Sequence, residues 1–233
     1  MKKIMLLTTA LCLLLAGCGE SGTDVKEPEV DNPGNEVVEP ELPAPETPSV
    51  PAVVVYPLPD TTMDDLTDAT LSISLAEGDA YVDDTGKMQM DVKIYAYDLY
   101  DAAGIAELSA GDILVTHAGE VEVVSVERNE VGYVCINGGL DAGGFELAPE
   151  GGGIFSEIGY NDAKNWYEVG EATIRVSVDF MGYDNADPDR GEVVLYPGDF
   201  LIGEVSNYDF TPHNTTIRVE DGQIVELNRR YVP

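Results

Sequence analysis

The sequence predicts a mainly β protein: a single antiparallel β-sandwich or partly open β-barrel with one short helix, preceded by a disordered tether. Beyond Met63, apolar and polar residues alternate along successive short runs, which is typical of strands with one face in solvent. Turn residues such as Asp84-Thr85-Gly86 and Gly151-Gly152-Gly153 separate the runs, and helical periodicity is scarce. About eight to ten strands over roughly 170 residues fit one β domain.

Three runs show the alternation most clearly, in residues 71–75, 88–94 and 174–180. Polar residues such as Ser72, Lys93 and Arg175 occupy the solvent face of these runs. The apolar set predicted to face the core comprises Leu71, Ile73, Leu75, Met88, Met90, Val92, Ile94, Ile174, Val176, Val178 and Phe180.

One helix is predicted between Leu99 and Leu108, where apolar residues recur at helical spacing before Gly111. The segment Pro197-Gly198-Asp199-Phe200-Leu201 is interpreted as a turn leading into a strand. In the last hairpin, a three-residue loop with a left-handed Gly222 sets Ile217 opposite Val225 and Thr215 opposite Leu227, whereas a two-residue turn sets Ile217 opposite Glu226. We favour the three-residue loop.

The chain is strongly acidic, with 44 Asp and Glu against 12 Lys and Arg and a formal net charge of −32. Nucleic-acid binding depends on Lys and Arg that displace counterions from phosphates. We therefore expect no nucleic-acid partner.

The N-terminus has the three parts of an export signal. Lys2 and Lys3 precede an apolar run from Ile4 to Leu15, which is too short to span a bilayer. The following Leu15-Ala16-Gly17-Cys18 resembles the lipobox of bacterial lipoproteins. This resemblance covers only the first 18 residues. It implies a signal peptide over 1–17, a diacylglyceryl group with fatty acids such as palmitate on the Cys18 thiol, and cleavage before Cys18. This lipid would anchor the chain in the cell membrane on its extracytoplasmic side.

Residues 18–62 are predicted to form a Pro/Glu-rich disordered tether between Cys18 and a β-rich domain over 63–233. Nine of the fourteen prolines fall here together with ten acids, and this composition favours an extended spacer. The apolar patch Val53-Val54-Val55-Tyr56 could instead add to the domain as an edge strand. Cys135 is the one cysteine beyond Cys18, so no disulfide is expected within the domain, and its strand-like surroundings predict a buried, unreactive thiol.

No residue is assigned a catalytic role from the sequence. His117 and His213 are the only histidines and both lie in turn-like segments, which are usually solvated. CxxC and HExxH spacings are absent, so a zinc site has no support from motifs. Acid pairs are too abundant for any one to indicate a glycosidase.

The densest acidic loop contains the calcium-like candidates Asp184, Asp187 and Asp189. Asn185, Asp187 and Asp189 repeat the first spacings of a calcium loop, but Gly191 and Tyr196 do not fit an EF-hand. A looser oxygen site and a plain solvated turn remain the alternatives, and no other cofactor is expected.

Tyr160, Trp166 and Tyr167 flank polar residues in a glycine-bounded stretch, a mixture that can stack on a sugar or peptide. The same rings could instead cap the core. These observations favour a membrane-anchored, extracytoplasmic binding or scaffolding module that meets a surface glycan or protein, and we lean away from an enzyme. A carboxylate-based hydrolase and a structural envelope protein without a small ligand are the alternatives.

Overall fold

The computed structural model describes residues 52–58, 63–203, 205 and 209–232. The predicted signal peptide, Cys18 and most of the predicted tether therefore lie outside the described residues. Two short helices, α1 (Ala102–Glu107) and α2 (Pro197–Leu201), and 3₁₀ turns at Leu140–Ala142 and Tyr160–Asp162 accompany the strands. The strands of the described residues are β1 (Val54–Val55), β2 (Ala69–Ser74), β3 (Ala80–Val82), β4 (Met88–Ala96), β5 (Leu99–Asp101), β6 (Ile113–Thr116), β7 (Gly119–Glu122), β8 (Val126–Arg128), β9 (Val134–Ile136), β10 (Phe145–Gly151), β11 (Ile154–Ile158), β12 (Tyr167–Asn185), β13 (Val193–Leu195), β14 (Thr215–Glu220) and β15 (Gln223–Arg230).

Five strands close into a barrel in the order β2, β4, β12, β15 and β14, with β14 pairing back to β2. Strands β3 and β13 extend it beside β4 and β12. The predicted mainly β fold is confirmed, and of the two predicted architectures the chain adopts the barrel. The structure adds that the barrel is closed, that β12 and β15 pair in parallel and that a second short helix is present.

The barrel core is filled by the inward face of each strand, as the alternation predicts for Leu71, Ile73, Met90 and Ile94. Val178 is the exception, because its side chain is 91% exposed. The pairing of β12 with β15 shifts register between Val176 and Met181, so the alternation does not continue through Val178. The prediction that Val178 faces the core is wrong.

A second lobe, which we call the inserted lobe, consists of the chain between β4 and β12 of the barrel together with β1, which precedes β2. It contains a five-stranded sheet in the order β5-β11-β10-β9-β8 and a three-stranded sheet in the order β1-β6-β7. Tyr100, Ile105, Leu114, Ile136 and Leu147 belong to its own fully buried core. Strand β1 lies within the segment predicted as tether, where it pairs in parallel with β6, as the edge-strand alternative describes.

The register of the last hairpin was predicted incorrectly. Asp221 and Gly222 form a two-residue turn, both with positive φ, and Glu220 pairs with Gln223. A bulge after Arg218 then sets Ile217 opposite Leu227 rather than Val225. The bulge keeps both apolar side chains in the core.

Helix α1 falls inside the predicted helical segment and begins where the Asp101 carboxylate accepts hydrogen bonds from the backbone of Ala103 and Gly104. The Pro197–Leu201 segment is helix α2 rather than the expected turn into a strand, and Phe200 is its buried residue. In the described part of the chain, neither helix has the length or apolar character needed to cross a membrane.

Candidate functional site

An open cleft of about 530 Å³ lies beside Trp166, immediately before β12. We call it the Trp166 cleft. Three aromatic residues line it, Tyr160, Trp166 and Tyr231, together with three basic ones, Lys164, His213 and Arg230. The remaining lining residues are uncharged. The Trp166 cleft therefore contains no carboxylate among the described residues, although acids greatly outnumber bases in the chain.

A smaller inner cavity of about 180 Å³ adjoins this cleft and shares Lys164, Trp166, His213 and Arg230 with it. Tyr97 forms part of its wall and meets the Trp166 ring edge-on, with ring centroids 4.7 Å apart. The inner cavity is likewise lined by no carboxylate of the described residues.

Trp166 is half-buried, and its ring contacts those of Tyr97 and His213. His213 also meets it edge-on, at 6.3 Å between centroids. The indole Nε1 is buried and has no hydrogen-bond acceptor among the described residues. Tyr160 is different, since it is 66% exposed and free to contact a ligand from the rim of the cleft.

The three basic groups of the cleft are not equivalent. The Lys164 ammonium forms an ion pair with Glu150, donates to the Ser156 hydroxyl at 2.8 Å and lies over the Tyr97 ring, while burial lowers its pKa. Arg230 is exposed, and no carboxylate of the described residues pairs with its guanidinium. Arg230 is therefore the cation best placed to meet an anionic ligand.

Tyr167, the first residue of β12, lines neither the Trp166 cleft nor the inner cavity. Its ring stacks on His117, with centroids 4.1 Å apart. The structure thus brings Tyr160 and Trp166 together in one cleft, and it places Tyr167 against a separate group of polar residues.

That group consists of Asp98, His117 and Glu157, which we call the Asp98–His117–Glu157 cluster. Asp98 lies in the corner between β4 and β5, His117 in the turn between β6 and β7, and Glu157 in β11. Each of the three residues has one potential metal-ligand atom, and these three atoms all lie within 4.8 Å of one another. The cluster therefore connects the end of a barrel strand to two different sheets of the inserted lobe.

Hydrogen bonds fix the cluster from several directions. Asp98 Oδ2 accepts from the backbone N of His117 at 2.7 Å and lies 2.9 Å from its ring Nδ1. The backbone N of Glu157 donates to the Asp98 carbonyl at 3.0 Å, and the Asn165 amide donates to Glu157 Oε1. Glu157 Oε2 is buried and has no partner among the described residues.

Burial dominates the electrostatics of the cluster. Asp98 and Glu157 are only 2% and 4% exposed. Desolvation raises the pKa of Glu157 and the charge of Asp98 adds to this, although the Asn165 hydrogen bond and His117 act in the opposite direction. Desolvation, followed by the charges of Asp98 and Glu157, also raises the pKa of Tyr100 well above its usual value. The Tyr100 hydroxyl donates to the Val115 carbonyl at 3.1 Å.

The calcium candidates do not form a comparable group. Asp184 pairs with the buried Arg229 and accepts from the backbone of Ala186, and Asp187 accepts from the backbone of Asp189. In the part of the chain that the structure describes, the only convergence of three or more potential metal ligands is the Asp98–His117–Glu157 cluster. Calcium at Asp184, Asp187 and Asp189 stays a prediction.

Cys135 lies in β9, as its strand-like surroundings predict, but it is half-buried rather than buried. Desolvation and then the neighbouring Glu146 and Glu127 raise the pKa of its thiol. A raised pKa reduces the thiolate fraction and so disfavours a role as nucleophile.

Sequence reasoning found the cleft but missed the cluster. Trp166 was detectable as the sole Trp in a polar, glycine-bounded stretch. His117 and His213 lie in turns and are exposed, as predicted. The sequence did not reveal that His117 also contacts the buried Asp98 and that His213 lines the Trp166 cleft. No protein-family model, curated protein or solved structure matches the chain.

Proposed function

We propose that the chain is a membrane-anchored binding module that recognises an acidic glycan in the Trp166 cleft. The observation that carries this proposal is the lining of the cleft. It combines aromatic and basic side chains without a carboxylate of the described residues, on a chain with 44 acids and 12 Lys and Arg.

The lining matches both parts of an acidic sugar. The Tyr160 ring, which is 66% exposed, and the half-buried Trp166 ring offer apolar surfaces on which a pyranose ring can stack. The Arg230 guanidinium can bind a carboxylate with two parallel hydrogen bonds. Because the rest of the chain is strongly negative, its field repels the same ligand elsewhere and so favours the cleft.

The membrane part of the proposal rests on the sequence. A lipid on Cys18 would hold the chain at the extracytoplasmic face of the cell membrane, and residues 18–62 would separate the domain from the lipid surface. Strand β1 shortens this spacer, because Val54 and Val55 are part of the folded domain. A domain so placed would meet glycans outside the cell.

Binding to matched oligosaccharides tests the glycan proposal. The full chain, purified in detergent, is titrated with a glucuronate-containing oligosaccharide and with its glucose counterpart. We expect the acidic sugar to bind more tightly, and we expect this preference to fall as salt is raised. Equal affinity for the two sugars, or no binding of either at millimolar concentration, would refute the proposal.

Two variants locate the binding site. Arg230→Gln should weaken binding of the acidic sugar by about tenfold, because it removes a charge-assisted hydrogen bond. Tyr160→Ala should weaken binding of both sugars, because it removes an aromatic surface on which either sugar ring can stack. Arg175→Gln in β12 and Tyr56→Ala, whose ring is also 66% exposed, are the matched controls and should bind as the unsubstituted chain does.

A carboxylate-based hydrolase is the second candidate, and the proximity of Asp98 to the desolvated Glu157 is the observation that favours it. A glycosidase, however, needs its two carboxylates on either side of a bound sugar. Asp98 and Glu157 line neither the Trp166 cleft nor the inner cavity. Incubation of the acidic oligosaccharide with the full chain should therefore release no new reducing ends, and release that Glu157→Gln abolishes would instead establish the hydrolase.

A further inference from the structure

The Asp98–His117–Glu157 cluster has an unbalanced charge. Two carboxylates that are 96% or more buried lie together, and the basic group that faces them among the described residues is one imidazole. Buried carboxylates are stable only when they are paired, hydrogen-bonded, protonated or bound to a metal. Asp98 has its partners in His117, but Glu157 Oε2 has no donor among the described residues.

We propose that Asp98, His117 and Glu157 bind one divalent transition-metal ion, for which Zn²⁺ is the appropriate probe. The site uses the unpartnered Glu157 Oε2 and takes the ion into the space where the potential ligand atoms already lie within 4.8 Å of one another. This inference is independent of the proposed glycan binding, since none of the three residues lines the Trp166 cleft.

The ligand types select the metal class. Imidazole nitrogen with two carboxylate oxygens suits zinc and its first-row neighbours, whereas calcium and magnesium prefer sites made only of oxygen. Three protein ligands would leave a fourth position of a tetrahedral zinc ion for water. Among first-row ions, zinc should bind more tightly than manganese at such a site.

Neighbouring groups hold each of the three proposed metal ligands in position. The Asn165 amide holds Glu157 through Oε1, the Tyr167 ring stacks on the His117 imidazole, and the backbone N of His117 fixes the Asp98 carboxylate. Such supporting contacts orient ligands and raise metal affinity. His117 Nδ1 lies 2.9 Å from Asp98 Oδ2, so a metal ion bound through Nδ1 would take the place of the hydrogen bond between them, and the neutral imidazole would carry its one proton on Nε2.

A bound ion would cross-link distant parts of the chain. Asp98 lies just after barrel strand β4. His117 lies in the turn between β6 and β7, and Glu157 lies in β11, which is part of a different sheet of the inserted lobe. A metal ion that binds only the folded state stabilises that state. Once the metal concentration exceeds the dissociation constant, the free energy of unfolding rises with the logarithm of that concentration. Zinc should therefore raise the unfolding temperature as well as bind.

The test uses the mature full chain in detergent, without a histidine tag and stripped of metal with a chelator. Titration calorimetry with ZnSO₄ should give one site per chain, and thermal unfolding should shift upward. Mn²⁺ should bind at least about tenfold more weakly than Zn²⁺, and Ca²⁺ should give no shift of comparable size. Absence of zinc binding at millimolar concentration would overturn the proposal.

Substitutions separate the cluster from the acidic surface. Glu157→Gln, Asp98→Asn and His117→Gln should each weaken zinc binding by about tenfold or more. Glu171→Gln and Asp187→Asn, which change exposed acids elsewhere, are the matched controls and should bind zinc normally. Equal loss in the controls, or undiminished binding in Glu157→Gln, would assign the zinc to the surface and refute the site.

Two further measurements keep the result interpretable. Cobalt substitution should give the visible absorption bands of a low-coordinate Co²⁺ ion, and His117→Gln should weaken and shift these bands because it removes one ligand of the ion. Glu157→Gln has the shape of a protonated glutamic acid, so it should fold. If this variant and the metal-free unsubstituted chain unfold at the same temperature and zinc shifts neither, Glu157 holds a proton instead of a metal, and the proposal fails.

Discussion

At the scale of single residues, Asp112 shows how one buried carboxylate can hold a strand that the sequence assigned to a tether. Asp112 is 6% exposed. Its Oδ1 accepts from the backbone N of Val53 at 2.8 Å, just before β1, and its Oδ2 accepts from the backbone and hydroxyl of Ser109, also at 2.8 Å. These donors, led by the Val53 amide, lower the pKa of Asp112 below 3.8.

The first prediction is that Asp112→Asn lowers the unfolding temperature at pH 7. An amide has one acceptor oxygen, so either Val53 or Ser109 would lose its partner and face an NH₂ group. Because the pKa of Asp112 is lower in the folded state, its stabilisation is complete above pH 3.8 and disappears as the pH falls through the folded-state value.

Thermal unfolding of both chains between pH 7 and pH 2 measures this effect. The difference in unfolding temperature between the unsubstituted chain and Asp112→Asn should be largest at pH 7 and should shrink below pH 3.8. Asp84→Asn is the matched control, because Asp84 is exposed and its carboxylate accepts no hydrogen bond from the part of the chain that the structure describes. A difference that stays constant with pH would contradict the assignment to the carboxylate.

The candidate site could be predicted from the sequence only where one short segment carries it. The prediction brought Tyr160 and Trp166 to a common surface because they lie near each other in the chain, but it could not tell that Tyr167 lies outside the Trp166 cleft. Asp98 is one of 44 acids, and nothing local distinguishes it. Its contact with His117 spans 19 residues and depends on how the inserted lobe folds back on the barrel.

At the scale of elements, the turn between β9 and β10 depends on Gly144. A Cβ at this position would overlap the carbonyl oxygen of Ile136 and lie 2.7 Å from that of Asn137. Both are backbone atoms, and Ile136 is paired with a strand on each side, so this part of the chain cannot move aside easily.

We predict that Gly144→Ala destabilises the domain by about 1 to 3 kcal/mol, the usual cost of overpacking. Gly198→Ala is the matched control, because a Cβ there has no neighbour within 4 Å and alanine favours helix α2. Urea unfolding of the two variants measures the difference. Equal stability of Gly144→Ala and the unsubstituted chain would show that the turn rearranges freely.

Bulges explain why strand positions were easier to predict than strand pairing. In the last hairpin, the extra residue Val225 in β15 keeps Ile217 and Leu227 in the core and sets Arg218 opposite Glu226, with which it forms an ion pair at 3.0 Å. The same kind of irregularity turns Val178 outward. Local alternation identifies a strand, but a bulge changes its register without leaving a clear trace in the alternation.

At the scale of the whole molecule, the fold class followed from alternation, whereas the two-lobed arrangement did not. Strands β4 and β12 are neighbours in the barrel although all of the inserted lobe except β1 separates them in sequence. Each lobe has a separate buried core, and the Trp166 cleft and the Asp98–His117–Glu157 cluster both lie where the chain returns from the insertion into β12. Pairing over such a distance cannot be derived from local periodicity.

The proposed membrane location leads to the last prediction, which concerns Cys18. Cleavage before Cys18 would remove Lys2 and Lys3 and no acid, leaving ten Lys and Arg against 44 acids and a net charge of −34. Anionic headgroups repel such a chain, so attachment would depend on the lipid alone. Cys18→Ala should therefore prevent fatty-acid labelling and remove the mature-length chain from the membrane fraction. Cys12→Ala, within the signal peptide, is the matched control and should stay labelled and membrane-bound. A mature-length Cys18→Ala chain in the membrane fraction, identified by its mass, would show that another feature anchors the protein.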